Sequence, residues 1–161
     1  MRASNRQPKA RRTAAALTVA LSAVLLLAGC GGSSAPRERE QIRAVISSFL
    51  DALAHGNGTV ACAHATPAGQ KAIVSAVGPE LQNFDIYGCK SAVYVTGAQM
   101  KPASRRALET ARIATIALSA STASIPMSTI TSPNGNVAIE LGTNKPVRLV
   151  ESYGVWLITS L

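Results

Sequence analysis

Few side chains in this sequence have the types and spacing that acid–base chemistry needs. Asp51 and His55 lie one helical turn apart, where a carboxylate and an imidazole can share a hydrogen bond. His64 follows Cys62 by two residues and could act as a general base inside a pocket. A solvated pair at 51 and 55, and a histidine bordering a short helix at 64, explain the same residues without catalysis. Because spacing gives no nucleophile, base and orienting group together, we predict no catalytic residue.

Aromatic residues supply the other candidates for a ligand site. Tyr87, Tyr94 and Trp156 could line a pocket, although each also fits an ordinary hydrophobic core. Tyr94, His64 and Trp156 together form the candidate pocket for a small apolar ligand. We expect no cofactor.

The N-terminus carries the features of an export signal. A basic start precedes an apolar run, Ala14 to Leu26, which leads into Leu27-Ala28-Gly29-Cys30. Basic residues, an apolar stretch and small residues before a cut are typical of a secretory signal peptide. Residues 27–30 resemble the lipobox of bacterial lipoproteins. The resemblance implies that residues 1–29 are removed and that Cys30 is thioether-linked to diacylglycerol as the first residue of the mature chain.

Two other interpretations of this segment stay open. An ordinary signal peptide would leave Cys30 as a free thiol, and a retained helix would hold the chain in the membrane. Residues 14–28 are 15 in number, whereas a membrane-spanning helix needs about 20. We therefore predict a lipid-anchored protein at the cell membrane, on its extracytoplasmic face (periplasmic or outward-facing).

The two cysteines of the mature chain would then lie in an oxidising compartment. Pairing is the default expectation there, so we predict a Cys62–Cys89 disulfide, with two buried thiols as the alternative. His64 beside Cys62 does not complete a set of four ligands, so we predict no metal site.

The formal net charge of +8 overstates the charge of the mature chain. Five of the 16 basic residues and none of the 8 acidic ones lie within residues 1–29, which leaves 11 basic against 8 acidic, or +3. This balance is too mild to predict nucleic-acid binding. Removing 29 of 161 residues leaves 132, enough for a lipidated tether, residues 30–36, and one domain with a substantial core, residues 37–161.

An amphipathic helix within residues 37–55 is the strongest secondary-structure signal. Its apolar residues recur at helical spacing on one face: Ile42, Val45, Ile46, Phe49, Leu50 and Leu53. The glycines of His55-Gly56-Asn57-Gly58 can end it. A short helix is predicted over about 59–65.

Further helices are predicted in the first half of the chain. Thr66-Pro67 fits the N-cap and first position of a helix that runs to about Val77. Residues 80–88 look irregular, and residues 89–95 fit either a helical turn or a strand. Residues 102–110 predict another short helix, with Arg105 and Arg106 facing solvent.

After Arg112 the pattern favours strands. Residues 113–119 and 122–131 are rich in β-branched side chains, and Asn134-Gly135 predicts a hairpin turn. Residues 137–141 and 147–151 alternate as half-buried strands, with Glu140 and Arg148 as a cross-strand surface pair. Tyr153-Gly154 makes a turn before a last strand, residues 155–160. Helices followed by an antiparallel sheet predict an α+β fold with the N-terminal helices on one face of the sheet.

The order of these features is similar to that of extracytoplasmic members of the nuclear transport factor 2-like superfamily. The resemblance covers about residues 37–161 and is carried by the helix over 42–53, His55-Gly56-Asn57, Ala61-Cys62, Thr66-Pro67, a cysteine at 89 and Gly154-Val155-Trp156-Leu157-Ile158. It implies a cone, in which a curved antiparallel sheet wraps the first helix and leaves a pocket at its wide end.

Members of that superfamily differ in function, so the resemblance leaves three hypotheses. The first is a noncatalytic domain that binds a small apolar ligand or a partner protein at the cell envelope. The second is a small pocket enzyme, isomerase-like or dehydratase-like, that uses His64 or Asp51. The third is a dimerising structural module, since the outer sheet face of the superfamily often carries homodimer contacts.

Overall fold

The computed structural model of the chain describes residues 35–77 and 88–161. The predicted signal peptide, the lipobox with Cys30, the first part of the tether and Tyr87 lie outside the described residues. So does nearly all of the segment 80–88 that was predicted to be irregular.

Helix α1 (Ala35–Ala54) forms the centre of the core. It begins two residues before the predicted domain start, and Ile42, Ile46, Phe49, Leu50 and Leu53 are each at most 1% exposed. Their i, i+3, i+4 spacing brings them onto one face, as the sequence predicted. The helix ends where Gly56 adopts a φ of +68°, a left-handed conformation that glycine takes without steric cost.

Four more helices follow α1 in the described chain before the first strand. They are α2 (Gly58–Ala63), α3 (Pro67–Val77), α4 (Cys89–Gln99) and α5 (Pro102–Glu109). The Thr66 hydroxyl accepts a hydrogen bond from the Gly69 amide at 3.1 Å, which confirms the predicted N-cap of α3. Residues 89–95 belong to α4, so the helical alternative holds and the strand alternative is wrong.

Within residues 35–77 and 88–161, the strands form two antiparallel sheets. Strands β1 (Arg112–Ile113) and β4 (Ile130–Thr131) pair as a short ribbon. The main sheet has the order β2-β3-β5-β6, formed by β2 (Ala117–Ser119), β3 (Thr122–Ile125), β5 (Val147–Ser152) and β6 (Val155–Ser160). This arrangement confirms the α+β class. The two long strands predicted over 113–119 and 122–131 are each divided, the second by a 3₁₀ turn over Met127–Thr129.

The strand predicted over 137–141 is wrong, because Val137–Glu140 is a one-turn helix, α6. The Asn136 side chain accepts a hydrogen bond from the Ala138 amide at 3.0 Å and caps this helix. The predicted Glu140–Arg148 cross-strand pair is therefore also wrong. Arg148 lies on β5 opposite Ser124, and the turn at Asn134-Gly135 leads into α6 rather than into a hairpin strand.

One face of the main sheet joins α1 in a single core. The buried sheet residues come from β3, β5 and β6 and alternate with exposed or half-buried ones: Ala123, Ile125, Val147, Leu149, Trp156 and Ile158. Beyond β6, the segment between α2 and α3 adds a parallel bridge from Ala65 to Ile158. The Thr66 amide donates to the Ile158 carbonyl at 2.9 Å, and the Ile158 amide donates to the His64 carbonyl at 2.8 Å.

Candidate functional site

Cys62 and Cys89 are joined by a disulfide. Cys62 lies on α2 and Cys89 is the first residue of α4, with their Cα atoms 6.1 Å apart. Both side chains are buried and belong to the core. The bond therefore links two helices whose cysteines are 27 positions apart in the sequence.

His64 lies at the end of α2, half-buried, with its ring directed at α1. Its Nε2 is 2.8 Å from the hydroxyl oxygen of Ser48. Burial lowers the pKa of His64 below its usual 6.5, because the ring loses hydration that would favour the charged form. The neutral imidazole is thus the preferred form in the folded protein.

A serine beside a neutral histidine is the beginning of a nucleophile–base pair, which needs a third group to orient the ring. Within residues 35–77 and 88–161, the Ser48 contact is the one side-chain hydrogen bond of the His64 ring. The Ser48–His64 hydrogen bond connects α1 to the end of α2. Holding these two helices together explains the position of the His64 ring without catalysis.

The structure does not bring Tyr94, His64 and Trp156 together. Tyr94 lies on α4 with its side chain directed to solvent, 66% exposed, whereas Trp156 is buried in the core. Trp156 also borders a surface cleft with Arg37 and Gly154. Neither His64 nor Tyr94 contributes to that cleft.

Asp51 and His55 form the solvated pair that the sequence predicted. His55 Nδ1 is 3.5 Å from an Asp51 carboxylate oxygen, and both side chains are largely exposed. Glu109, at the end of α5, adds a contact that the spacing did not reveal, with its carboxylate 3.3 Å from His55 Nε2. In the part of the chain that the structure describes, no cluster of three or more histidine, cysteine or acidic side chains is placed to hold a metal ion.

Arg105 is half-buried, contrary to the sequence prediction that it faces solvent, whereas Arg106 is exposed. The Arg105 Nε donates to the Ala54 carbonyl, and one terminal nitrogen of the same guanidinium donates to the Gly97 carbonyl, each at 3.1 Å. Ala54 ends α1, where helix carbonyls lack intrahelical donors. Gly97 lies in the last turn of α4, and its carbonyl also accepts from the Met100 amide at 3.4 Å. The cation therefore contacts the C-terminal ends of two helices at once.

The outer face of the main sheet is open to solvent. Its side chains include Ser119, Thr122 and Arg148, which are exposed, and the cross-strand pair Val150 and Leu157, which is half-buried. A shallow groove crosses this face between β2 and β6. Arg148 is a cation on a central strand of that groove.

Two hairpin turns and the beginning of α1 meet at one end of the domain. Arg37, Ala120 and Gly154 line a common cleft, and the Glu151 amide donates to the Ser121 carbonyl at 2.8 Å. The local pattern predicts the turn at Tyr153-Gly154, but the meeting of these segments depends on long-range pairing that the sequence analysis does not predict.

The helices that the structure describes lack the features of a membrane span. None of those within 35–77 and 88–161 has both the length and the hydropathy that crossing a bilayer requires. Comparisons with protein-family models, with curated proteins and with solved structures gave no match.

Proposed function

We propose that this chain is a lipid-anchored, extracytoplasmic module that binds a partner protein and has no catalytic activity of its own. The anchor is supported by the basic start, the apolar run and Leu27-Ala28-Gly29-Cys30. Two or three acyl chains hold a protein on a membrane, where one chain gives marginal binding.

A cone of the nuclear transport factor 2-like kind is the finer fold that we propose. The order of elements supports it, since helices come first and an antiparallel sheet follows with α1 against its inner face. Fold alone does not give function, so the binding role depends on the surfaces of this domain.

The observation that carries the proposal is the contrast between the two faces of the sheet. Large apolar side chains of α1 and of the inner sheet face fill the space between them, among them Phe49, Leu149 and Trp156. The outer face is open to solvent and carries short polar side chains such as Ser119 and Thr122 beside Arg148. Binding of a partner protein at this outer face therefore agrees better with the geometry than binding of a small ligand inside the cone.

Charge indicates the chemistry of the partner. Arg148 projects from the central strand β5 of the exposed face, between small residues such as Ser124. A partner that places a carboxylate opposite Arg148 would gain a charge-assisted hydrogen bond. A second copy of this chain, docked through the same face about a two-fold axis near β5, would bring two arginines together. A different, acidic protein is thus the favoured occupant.

Site-specific photocrosslinking in the host tests this proposal. A photoreactive residue at Ser124 should give one discrete adduct with another protein, whereas the same residue at Ala98, exposed on α4, should not. Arg148→Glu should abolish the Ser124 adduct and Arg148→Lys should preserve much of it, because charge is the recognised property. An adduct of twice the chain's mass, or one indifferent to Arg148→Glu, would contradict the proposed partner.

The anchor is tested separately by fractionation. Cys30→Ser should release the protein from the membrane or leave an unprocessed precursor. Wild-type protein that is wholly soluble, with an unmodified Cys30, would refute the lipoprotein assignment.

A further inference from the structure

The end of the domain where α1 begins also carries two exposed apolar side chains. Tyr153, at the tip of the β5–β6 hairpin, is fully exposed, and the neighbouring Val155 is 54% exposed. Gly154, in the same turn, shares a cleft with Arg37 of α1. The start of the helix and the hairpin tip therefore lie on the same side of the molecule.

Tyr153 occupies a position that its residue type does not favour. Tyr153 and Gly154 form a two-residue turn with φ values of +52° and +80°, and such turns prefer asparagine, aspartate or glycine at both sites. A bulky residue held at positive φ is a local strain, and such strain is often retained where the side chain has a role. At this strained backbone position, the Tyr153 side chain is fully exposed to solvent.

The length of chain before α1 limits how far this end can lie from the proposed anchor. Five residue steps join Cys30 to Ala35, and each spans at most about 3.6 Å, so the distance is at most about 18 Å. We propose that Tyr153 and Val155 enter the interfacial layer of the membrane that holds the chain, so that the β5–β6 tip is a second membrane contact beside the lipid. This inference rests on the proposed lipid anchor.

The chemistry of the tip fits a lipid surface. Tyrosine is enriched at membrane–water interfaces, because its ring is apolar and its hydroxyl remains hydrated. The charged groups of the region are mixed in sign: Arg37 and Arg39 of α1 are accompanied by Glu38, Glu40 and Glu151. The contact should therefore depend on the aromatic and aliphatic side chains and change little with salt.

A probe at the tip tests the contact in the full-length, lipidated protein. With Cys30 acylated and Cys62 bonded to Cys89, Tyr153→Cys introduces one free thiol for an environment-sensitive fluorophore. The protein is reconstituted in phosphatidylcholine vesicles with a minority of phosphatidylglycerol and a headgroup-attached nitroxide quencher. The matched control is Ile139→Cys, since Ile139 is 73% exposed and α6 precedes the opposite end of β5.

We expect several-fold stronger quenching at 153 than at 139, unchanged by high salt. Val155→Cys lies on a strand position outside the turn and should show the same quenching as Tyr153→Cys. It controls for a change in the turn that replacing Tyr153 itself could cause. Equal quenching at 153 and 139, or none at either, overturns the inference. Mass spectrometry of the same samples separates the two proposals: an unmodified Cys30 refutes the anchor, whereas an acylated Cys30 with an aqueous probe at 153 refutes the second contact alone.

Discussion

The Nε of Arg105 lies 3.1 Å from the carbonyl oxygen of Ala54, the last residue of α1. The same guanidinium reaches the Gly97 carbonyl, so one side chain joins α1, α4 and α5. Arg105→Ala should lower the free energy of unfolding by about 1.5–3 kcal/mol, the usual range for hydrogen bonds to a charged group. Arg105→Lys should recover only part of the loss, since an ammonium lacks the planar fork.

Arg106 provides the matched control for Arg105. It is the next residue on α5 and is exposed, so Arg106→Ala should change the free energy of unfolding by less than about 0.5 kcal/mol. Urea denaturation of the two alanine variants makes the comparison. Equal effects would show that the two carbonyl contacts of Arg105 do not stabilise the fold.

The Cys62–Cys89 disulfide should behave as one energetic unit. Closing a loop between residues 27 apart stabilises the fold by roughly 3.5 kcal/mol in the chain-entropy estimate. Cys62→Ser and Cys89→Ser should each lower the melting temperature, and the double variant should lose no more than either single one. Additive losses in calorimetry, or two alkylatable thiols in unreduced denatured protein, would contradict the bond.

Stability should fall in mild acid because of His64. Its pKa is lowered in the folded state by burial, so below the ordinary value of 6.5 the unfolded chain binds a proton more readily than the folded one. The contribution is complete above pH 6.5 and is lost as the pH falls through the lowered folded-state pKa. In urea titrations across this range, His64→Gln should remove the pH-dependent step.

The other histidine separates this effect from a general acid response. His55 is exposed beside Asp51 and Glu109, so His55→Gln should keep the acid step that His64→Gln removes. Loss of the step in both variants, or in neither, would count against the burial of His64 as its cause.

Tyr153→Asn should stabilise the domain. Asparagine tolerates positive φ better than tyrosine, so relief at the φ of +52° should raise the free energy of unfolding by about 1 kcal/mol. Tyr94→Asn makes the same chemical change on an exposed helical position and should lower stability slightly, because asparagine is a poorer helix former. Thermal melts of both variants check the opposite signs.

Local patterns predicted the elements whose signals agree with their burial. The apolar stripe of α1, the Thr66-Pro67 start of α3 and the turn at Tyr153-Gly154 are all encoded within a few residues. The first two could be predicted because spacing and capping favour the same structure there, and the turn could be predicted from Gly154, although tyrosine does not favour its own position in it.

Other features depend on partners that are distant in the sequence. Val137 and Ile139 alternate as a strand would, yet Ile139 is exposed and the Asn136 cap holds a helical turn. Arg105 contacts a carbonyl 51 residues away, and no local pattern distinguishes it from Arg106. The predicted pocket of Tyr94, His64 and Trp156 depends on residue type alone, and residue type does not determine which side of the core each residue lies on.

The contact between Thr66 and Ile158 has a consequence for how fast this domain folds. The two residues are 92 positions apart, and β6 lies between this early segment and β5. The chain must therefore close a long loop before the edge of the main sheet is complete, and loop entropy opposes that step. Folding should therefore be slow for a domain of this size, because the helices cannot complete their packing until β6 has docked. Substitutions at the β6 contact should affect the folding rate more than substitutions within the helices.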